Sequence, residues 1–324
     1  MQIVIAIGII LSTLAWVTKT NWRKWYIQGL RAQLLTVCYI LLFLTVLLWT
    51  LEGNILLKIL CTLYLLSAIC YCLHNIFPFT KLARPEVPTN NSNTQEMLLM
   101  SANVRMSNQD YGKLLDRIEE VDPDIVLLTE IDQSWTDAIQ KIESRYTHRI
   151  LLPRDNTYGM SLYSKFPLAE KLIKFLVDEE VASIHCTIVH PDLGHVKFMG
   201  LHPRPPQPGR REEDKDLELI QAAALAAEHL DPMIVTGDLN DVAWSPATLH
   251  FKTISKLKDP RVGRGFFSTY NALLPAFRMP IDHFFISKHF EVTKIKRLEK
   301  IGSDHFPILL GVTLQRESEN GSKF

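Results

Sequence analysis

The chain has 324 residues, of which 47% are hydrophobic, and its 35 basic and 35 acidic side chains give a formal net charge of zero. This composition excludes a disordered chain, a collagen-like chain and an extreme polycation. The charge is unevenly distributed, because residues 1–95 carry seven basic and two acidic side chains, whereas the remainder carries 28 basic and 33 acidic ones. The two parts therefore differ in chemistry, and only the second is suited to a polar site.

Three stretches in the first third contain no Asp, Glu, Lys or Arg: residues 1–18, 32–51 and 59–80. A helix that crosses about 30 Å of hydrocarbon needs about 20 apolar residues, so the second and third stretches are long enough and the first is marginal. A cleaved signal peptide is the alternative for the first stretch, but its basic residues follow the apolar run instead of preceding it. We therefore predict a membrane domain over residues 1–82 with three transmembrane helices.

Residues 83–96 contain two prolines and then a polar run of Asn, Ser and Thr. This composition is typical of a flexible tether with little structure of its own. We predict that residues 83–96 are a linker and that residues 97–318 form a catalytic domain.

The second part of the chain reads as strands with a few long helices. Buried strands are predicted at residues 97–103, 125–130, 160–164, 181–189, 196–201 and 233–236, with two more around Asp282 and after His305, and helices at 110–121 and 212–229. This order favours two sheets packed face to face with helices outside, an α+β fold.

The predicted strands end at residues that can bind a metal ion or a phosphate group. These residues are Asn103, Glu130, His202, Asp238, Asn240, Asp282, Asp304 and His305. Each alone has an ordinary explanation, since Asp and Asn in turns bond to their own backbone and a Glu at a strand end is usually solvated. Their recurrence directly behind buried strands instead indicates one site.

The acidic and amide members of this set suit the attack of water on a phosphate ester. Glu130 and Asp304 are hard oxygen ligands of the kind that Mg²⁺ prefers, and such a metal polarises the phosphoryl oxygen. Asp238 can accept a proton from the attacking water, while Asn240 and Asn103 can orient that water by hydrogen bonds.

The histidines supply the complementary donors. His305 and His202 can donate to a non-bridging or leaving oxygen of the phosphate. Asp282 is expected beside His305, where a carboxylate raises the pKa of the imidazole and fixes its tautomer.

Six motifs in chain order resemble those of the endonuclease/exonuclease/phosphatase (deoxyribonuclease-I-like) superfamily. They are Ser101-Ala-Asn-Val, Leu128-Thr-Glu-Ile, Gly200-Leu-His-Pro, Gly237-Asp-Leu-Asn, Pro280-Ile-Asp-His and Ser303-Asp-His-Phe-Pro. The resemblance covers about residues 97–315, and the ordered set is more specific than any one motif. It implies a four-layer α/β/β/α sandwich, here preceded by three transmembrane helices, and a divalent metal, usually Mg²⁺, with Mn²⁺ as the alternative.

The resemblance also implies roles for individual residues. Glu130 would bind the metal, with Asn103 and Asp304 close by. Asp238 would activate the water, and Asn240 would orient it.

For the histidines, the resemblance implies that His305 stabilises the phosphoryl transition state and is oriented by Asp282, with His202 as the second histidine. One departure is Thr269-Tyr270, where many relatives have Thr-Trp. This departure concerns the pocket wall and leaves the reacting groups unchanged.

The N-terminal third is similar to a bacterial subgroup of this superfamily with three N-terminal spans. The similarity rests on Asn21-Trp-Arg-Lys-Trp-Tyr-Ile-Gln-Gly-Leu after the first span and Pro78-Phe-Thr after the third. It implies a multi-pass protein of the bacterial cytoplasmic membrane whose catalytic domain faces outside the cytoplasm.

Counting basic residues predicts the opposite orientation. Six basic residues flank the first and third spans on one side, against Lys58 alone on the other: Lys19, Arg23, Lys24, Arg31, Lys81 and Arg84. The segment after the first span can also be an interfacial amphipathic helix, whose charges count less in this rule. We therefore favour the extracytoplasmic side.

Charge and tethering bear on the substrate. A nuclease usually presents a basic face, whereas residues 96–324 carry more acids than bases. Arg204, Arg210 and Arg211 lie on a proline-rich loop beside His202, where they could clamp a phosphate or an anionic headgroup; the alternative is an ordinary exposed loop. A membrane anchor raises the local concentration of lipid-borne substrates.

We therefore expect a phosphate-ester substrate linked to lipid, such as a phospholipid or a polyprenyl pyrophosphate, ahead of nucleic acid. The alternatives are a nuclease of the same superfamily and a catalytically inactive membrane-anchored binding module. The inactive module would be indicated by a missing general base or metal ligand, and the sequence lacks neither.

Overall fold

A computed structural model describes residues 38–43, 45–46, 49, 54–91, 96–205 and 212–315. The first predicted span and most of the second lie outside these residues. The third forms helix α1 (Ile55–Ile76), which begins at Asn54, whose side chain accepts a hydrogen bond from the backbone N–H of Leu57. A 3₁₀ turn at Phe77–Phe79 ends it, because Pro78 has no N–H to continue the helix.

Helix α1 and its terminal turn, Ile55–Phe79, have a mean hydropathy of 2.1 with only 33% of the most apolar window buried. Leu56, Leu60 and Leu63 are among its exposed apolar side chains. A helix in the core of a soluble domain would bury such side chains. Within the described ranges this is the one helix long and apolar enough to cross a membrane, so the three predicted transmembrane helices are not shown.

The rest of the described chain contains the elements of an α+β domain. The strands are β1 (Met97–Asn103), β2 (Ile125–Thr129), β3 (His148–Leu152), β4 (Met160–Ser164), β5 (Leu168–Phe175), β6 (Ala182–His190), β7 (Gly194–Leu201), β8 (Met233–Asp238), β9 (Asp282–Ile286), β10 (Phe290–Arg297) and β11 (Ile308–Leu314). The helices are α2 (Tyr111–Val121), α3 (Gln133–Ile139), α4 (Glu212–Ala227) and α5 (Pro246–Ser255).

The strands form two sheets, in the orders β10-β11-β1-β2-β4-β3 and β5-β6-β7-β8-β9. The pairs β1–β2 and β7–β8 are parallel, and the other neighbouring strands are antiparallel. Each sheet therefore has one parallel pair whose carboxyl ends meet at a single edge.

Side-chain alternation along the strands produces the layers. Leu99 and Leu127 point into the core between the two sheets, where they meet Phe198 from β7. Their neighbours Met100 and Val126 point outward and pack with residues of α2 and α3. Helices α4 and α5 cover the outer face of the second sheet in the same way. The prediction of two face-to-face sheets with helices outside is confirmed.

The predicted linker is ordered in its described part. Val87 is buried in the core between the sheets, and its carbonyl oxygen accepts a 2.7 Å hydrogen bond from Arg264. Next to it, the backbone of Asn90 donates to the carbonyl oxygen of Val292 in the edge strand β10. Residues 83–91 thus form an extended strap along a sheet edge, where an unpaired strand offers free backbone groups, and they are not a flexible tether.

Gly237, just before the end of β8, provides a test of the packing at this end of the fold. Its φ is +144°, and a Cβ there would lie 1.9 Å from the carbonyl oxygen of Leu201. Gly237→Ala is therefore expected to cost about 3 kcal/mol of stability, through backbone strain and overpacking together. Gly112→Ala in α2 is the control, because no atom lies within 4 Å of its Cβ. The unfolding temperatures are measured by circular dichroism. Equal unfolding temperatures for the two variants would contradict this account.

Candidate active site

The carboxyl ends of the two parallel strand pairs bring polar side chains together at one edge of the sandwich. Asn103 ends β1, and Glu130 follows β2. His202 follows β7, and Asp238 ends β8. Asp282 begins β9 directly opposite Asp238 in the antiparallel ladder. The strand order that builds the core thus also builds the site.

Asp238 lies buried at the base of this site. The side-chain amide of Asn103 donates to Asp238 Oδ2 at 3.0 Å and to Glu130 Oε1 at 2.8 Å. The backbone N–H of Asn240 donates to Asp238 Oδ1 at 2.9 Å, within the turn that follows β8. Burial raises the pKa of Asp238 to about 7, since a carboxylate away from water is costly to ionise. Asp238 is therefore a base poised near neutral pH.

His305 is held between two carboxylates. Its Nδ1 donates to Asp282 Oδ2 at 2.8 Å, and its Nε2 lies 3.6 Å from Asp238 Oδ2. The Ser303 hydroxyl accepts from the His305 backbone N–H and fixes the turn that presents the ring. Burial opposes a charge on His305, but Asp282 and Asp238 outweigh it and raise the pKa to about 10. At neutral pH the ring is an imidazolium, a strong hydrogen-bond donor.

His202 has the opposite protonation state. Its Nε2 lies 3.9 Å from Asp238 Oδ2, and burial lowers the pKa of its ring. Its Nδ1 is buried with no hydrogen-bond partner among the described residues. The two histidines therefore differ, His305 being charged and His202 neutral near pH 7.

A cavity of about 230 Å³ opens above these groups. Its described lining is Glu130, Thr157, Tyr158, His202, Pro205, Asp238, Asn240, Tyr270, Ile281, Asp304 and His305. The ring of Tyr270, at the position of the Thr-Tyr departure, lies 5.0 Å from that of His305. The preceding Thr269 accepts a hydrogen bond from the backbone N–H of Asp282. The departure thus changes a wall of the cavity that touches the reacting histidine.

All eight site residues predicted from the sequence lie together. Six of them line the cavity: Glu130, His202, Asp238, Asn240, Asp304 and His305. Asn103 and Asp282 bond to members of that lining. Their individual roles stay predictions.

The predicted phosphate clamp is a different case. The Nε of Arg204 lies 2.6 Å from Asp178 Oδ2, and the guanidinium also bonds to Glu180. The same group stacks over the Tyr158 ring at 4.6 Å. Arg204 therefore joins two loops at the cavity rim and is not a free clamp. Arg210 and Arg211 lie outside the described residues.

Sequence reasoning missed a buried network behind Asp282. Arg261 makes a bidentate ion pair with Asp259 and donates to the backbone carbonyl of Asp282 at 3.2 Å. It also donates to His283 Nδ1 at 2.6 Å, while His283 Nε2 donates to the Asp241 carbonyl at 2.7 Å. Burial and the Arg261 charge lower the pKa of His283, which is neutral. The one visible signal was the adjacency of His283 to Asp282.

A buried base, a neighbouring imidazolium and a set of cavity-wall carboxylates, carried on a two-sheet sandwich, are groups that the hydrolysis of a phosphate ester can use. Comparison with known families agrees. Residues 100–305 match the family model described as the Endonuclease/Exonuclease/phosphatase family, and the chain belongs to this family. No curated protein sequence was found to match the chain.

Solved structures of this family share the fold. The endonuclease/exonuclease/phosphatase from Bacteroides vulgatus is 19% identical, with a TM-score of 0.55 over 68% of this chain and 100% of that one. D. rerio TDP2 complexed with a single-strand DNA product is 14% identical, with a TM-score of 0.55 over 68% and 100%. ANGEL2, a 2′,3′-cyclic phosphatase, is 15% identical, with a TM-score of 0.55 over 69% and 97%.

The charges of the cavity fit the divalent metal on which this family typically depends. Glu130, Asp238 and Asp304 line it, and none of the described lining residues is a lysine or arginine. Hard carboxylate oxygens on one wall are donors that Mg²⁺ accepts. Asp238, Asp282 and His305 also approach within 4.8 Å of one another, but His305 already bonds to Asp282. That Glu130 and Asp304 bind the metal, with Asn103 beside Glu130, stays a prediction, and both carboxylates line the cavity.

The pairing of Asp282 with His305 predicts a pH effect. If His305 must be protonated to act as a donor, the enzyme loses activity as the pH rises through the pKa of His305. Asp282→Asn removes the carboxylate that raises the pKa of His305 most, the others being Asp238 and Asp304. The alkaline limb of the rate profile should therefore move to lower pH in this variant. The acidic limb should move in the same direction, because the Asp282 charge also raises the pKa of Asp238. Hydrolysis of a soluble phosphodiester between pH 5 and 11 measures this, and an unmoved alkaline limb would contradict it.

Proposed function

We propose that the chain is a membrane-anchored, divalent-metal-dependent phosphoesterase that hydrolyses a phosphodiester, phosphomonoester or pyrophosphate bond in a lipid-linked substrate. The proposal of hydrolysis is carried by the setting of Asp238. This carboxylate lies at the base of the cavity, is oriented by Asn103 and Asn240, and lies 3.6 Å from the charged His305.

In the reaction, Asp238 accepts a proton from the water that attacks phosphorus. Its two oxygens are fixed by hydrogen bonds, so the base is oriented before substrate enters. His305 donates to the phosphoryl or leaving oxygen, and Asp282 holds its ring. A divalent metal held by Glu130 and Asp304 would supply Lewis-acid stabilisation of the charge on the phosphoryl group.

The membrane part of the proposal is supported by α1. Its apolar surface is largely exposed, and its end joins a cluster of apolar residues that we call the anchor cluster: Ile76, Phe79, Trp244, Met279 and Ile281. Ile281 also lines the cavity. A helix that crosses the bilayer would therefore hold the cavity close to lipid-borne phosphates, which favours a lipid-linked substrate. We place the domain outside the cytoplasm of a bacterial cell.

A nuclease is the second candidate. TDP2, which shares the fold, was crystallised with a DNA product. Against this, residues 96–324 carry 28 basic and 33 acidic side chains, an unfavourable balance for a backbone of phosphates. An inactive binding module is disfavoured because each predicted catalytic group is present at the cavity.

Asp238→Asn tests the proposed base. The variant should lower turnover by at least about a hundredfold, because general-base catalysis contributes about 10²–10⁴-fold. It should fold normally, since a neutral amide avoids the cost of burying a carboxylate whose pKa is already raised to about 7. Asp231→Asn, at an exposed position in the loop before β8, is the control. Full activity of Asp238→Asn would refute the mechanism.

Metal and substrate are tested on the purified full-length chain in detergent. We expect turnover with Mg²⁺, loss with a chelator, and recovery with added Mg²⁺ or Mn²⁺. The substrates are a polyprenyl pyrophosphate, a phosphatidylinositol phosphate, sphingomyelin, and single- and double-stranded DNA, with phosphate release and diester cleavage both measured. Cleavage of DNA alone would favour the nuclease, and silence on every substrate would favour the binding module.

A further inference from the structure

The loop Asn271–Arg278 exposes three large apolar side chains beside the active site. Leu273, Leu274 and Phe277 are 53%, 54% and 50% exposed. The Asn271 side chain accepts from the backbone N–H groups of Leu273 and Leu274 at 2.8 and 3.1 Å. Pro275 then begins a short 3₁₀ turn with no buried residue. The loop is thus locally shaped to hold its apolar side chains outward.

Both ends of this loop are fixed to the rim of the cavity. The backbone N–H of Tyr270 donates to the carbonyl oxygen of Met279 at 3.0 Å, which closes the loop at its base. The backbone N–H of Ala272 donates to the carbonyl oxygen of Asp304 at 2.7 Å. Because Tyr270 also contacts His305, the exposed side chains project from the wall of the active site itself.

The same end of the domain receives α1. Phe79, just after this helix, lies 5.8 Å from Trp244, ring centre to ring centre. The carbonyl oxygen of Pro78 accepts from the backbone N–H of Gly263 at 2.8 Å. Met279, which closes the loop, belongs to the anchor cluster with Phe79 and Trp244. The apolar helix and the apolar loop therefore meet the domain at one place.

Two arginines add positive charge at one end of the loop: Arg278 is its last residue, and Arg297 shares the Phe306 ring with it. The guanidinium groups of Arg278 and Arg297 lie over the Phe306 ring, at 4.9 and 4.4 Å from its centre. Apolar side chains flanked by basic ones are the combination that binds an anionic bilayer surface. The loop also lies at the end of the domain where the membrane-length helix α1 attaches. A bilayer as the binding partner accounts for this placement, whereas a protein partner does not.

We infer that the loop Asn271–Arg278 contacts the bilayer, with Leu273, Leu274 and Phe277 in its interfacial layer, so that the cavity opens toward lipid headgroups. The inference rests on the proposed membrane anchoring and names the surface by which the active site reaches its substrate. The domain would then be attached to the membrane at two points, the loop and α1, instead of one.

The contact is tested first without reference to catalysis. Phe277→Cys and Leu230→Cys are each labelled with an environment-sensitive fluorophore in the full-length chain, reconstituted into vesicles of phosphatidylcholine and phosphatidylglycerol. Leu230 is 90% exposed and lies before the amino end of β8, about 20 Å of strand from Asp238. Wild-type chain treated with the same label corrects for native cysteines.

We expect the label at position 277 to shift to shorter wavelength and to be quenched by nitroxide lipids at least about twofold more than the label at 230. Equal quenching at both positions would overturn the inference.

The second test separates this inference from the proposed function. Leu273, Leu274 and Phe277 are changed together to Ser, with Leu230→Ser as control, and hydrolysis is measured on vesicle-borne polyprenyl pyrophosphate and on soluble bis-p-nitrophenyl phosphate. We expect about a tenfold loss on vesicles and less than a twofold change on the soluble ester.

Equal retention of both activities would reject the loop and leave the phosphoesterase standing. Absence of both activities in the wild-type chain, together with silence on the other substrates named above, would reject the proposed function, and the fluorescence comparison would then decide the loop alone.

Discussion

The buried carboxylate of Asp238 is the constraint on which this end of the protein depends. Removing an ionised carboxylate from water is costly, and a lone one would remain protonated. The fold offsets this cost with donors from two other positions, the Asn103 amide and the Asn240 backbone, and with the charge of His305. The Asn240 N–H is local to the turn after β8, whereas the Asn103 amide is in reach because the parallel pairs β1–β2 and β7–β8 place their carboxyl ends at one edge. The strand order therefore determines both the burial of Asp238 and the surroundings that set its pKa.

Sequence reasoning succeeded where one strand carries both an apolar run and a polar residue at its end. The runs ending at Asn103 and Asp238 are buried on both faces, so each is mostly apolar and its polar end stands out. It missed β5 and β10 because they are edge strands, whose exposed positions carry charges that break the apolar pattern. It also missed Arg261, because nothing local distinguishes a fully buried arginine from an exposed one. Asp259 is two residues earlier in the chain, but the partners that link Arg261 to the site, Asp282 and His283, lie on β9 and become neighbours only on folding.

The prediction of a flexible linker missed the ordered strap at residues 83–91 for a related reason. Two prolines and a polar run have the composition of a tether, but the same features suit an extended segment on a sheet edge. Val87 is the apolar residue that buries into the core, and the edge strand β10 supplies backbone partners. Gly263 allows the closest approach, because a Cβ there would lie 2.5 Å from the nitrogen of Pro85. Composition indicates how a segment behaves alone, whereas here the surface against which it packs determines that it is ordered.

This strap changes how the N-terminal helix relates to the site. A flexible linker would leave the cavity free to face any direction. Here the end of α1 packs through Phe79 onto Trp244, and the Arg261 guanidinium lies over the Phe79 ring at 5.9 Å while donating to the Asp282 backbone. Two contacts therefore connect the helix to the residue that orients His305. Both contacts are made by the one guanidinium of Arg261, which is fully buried.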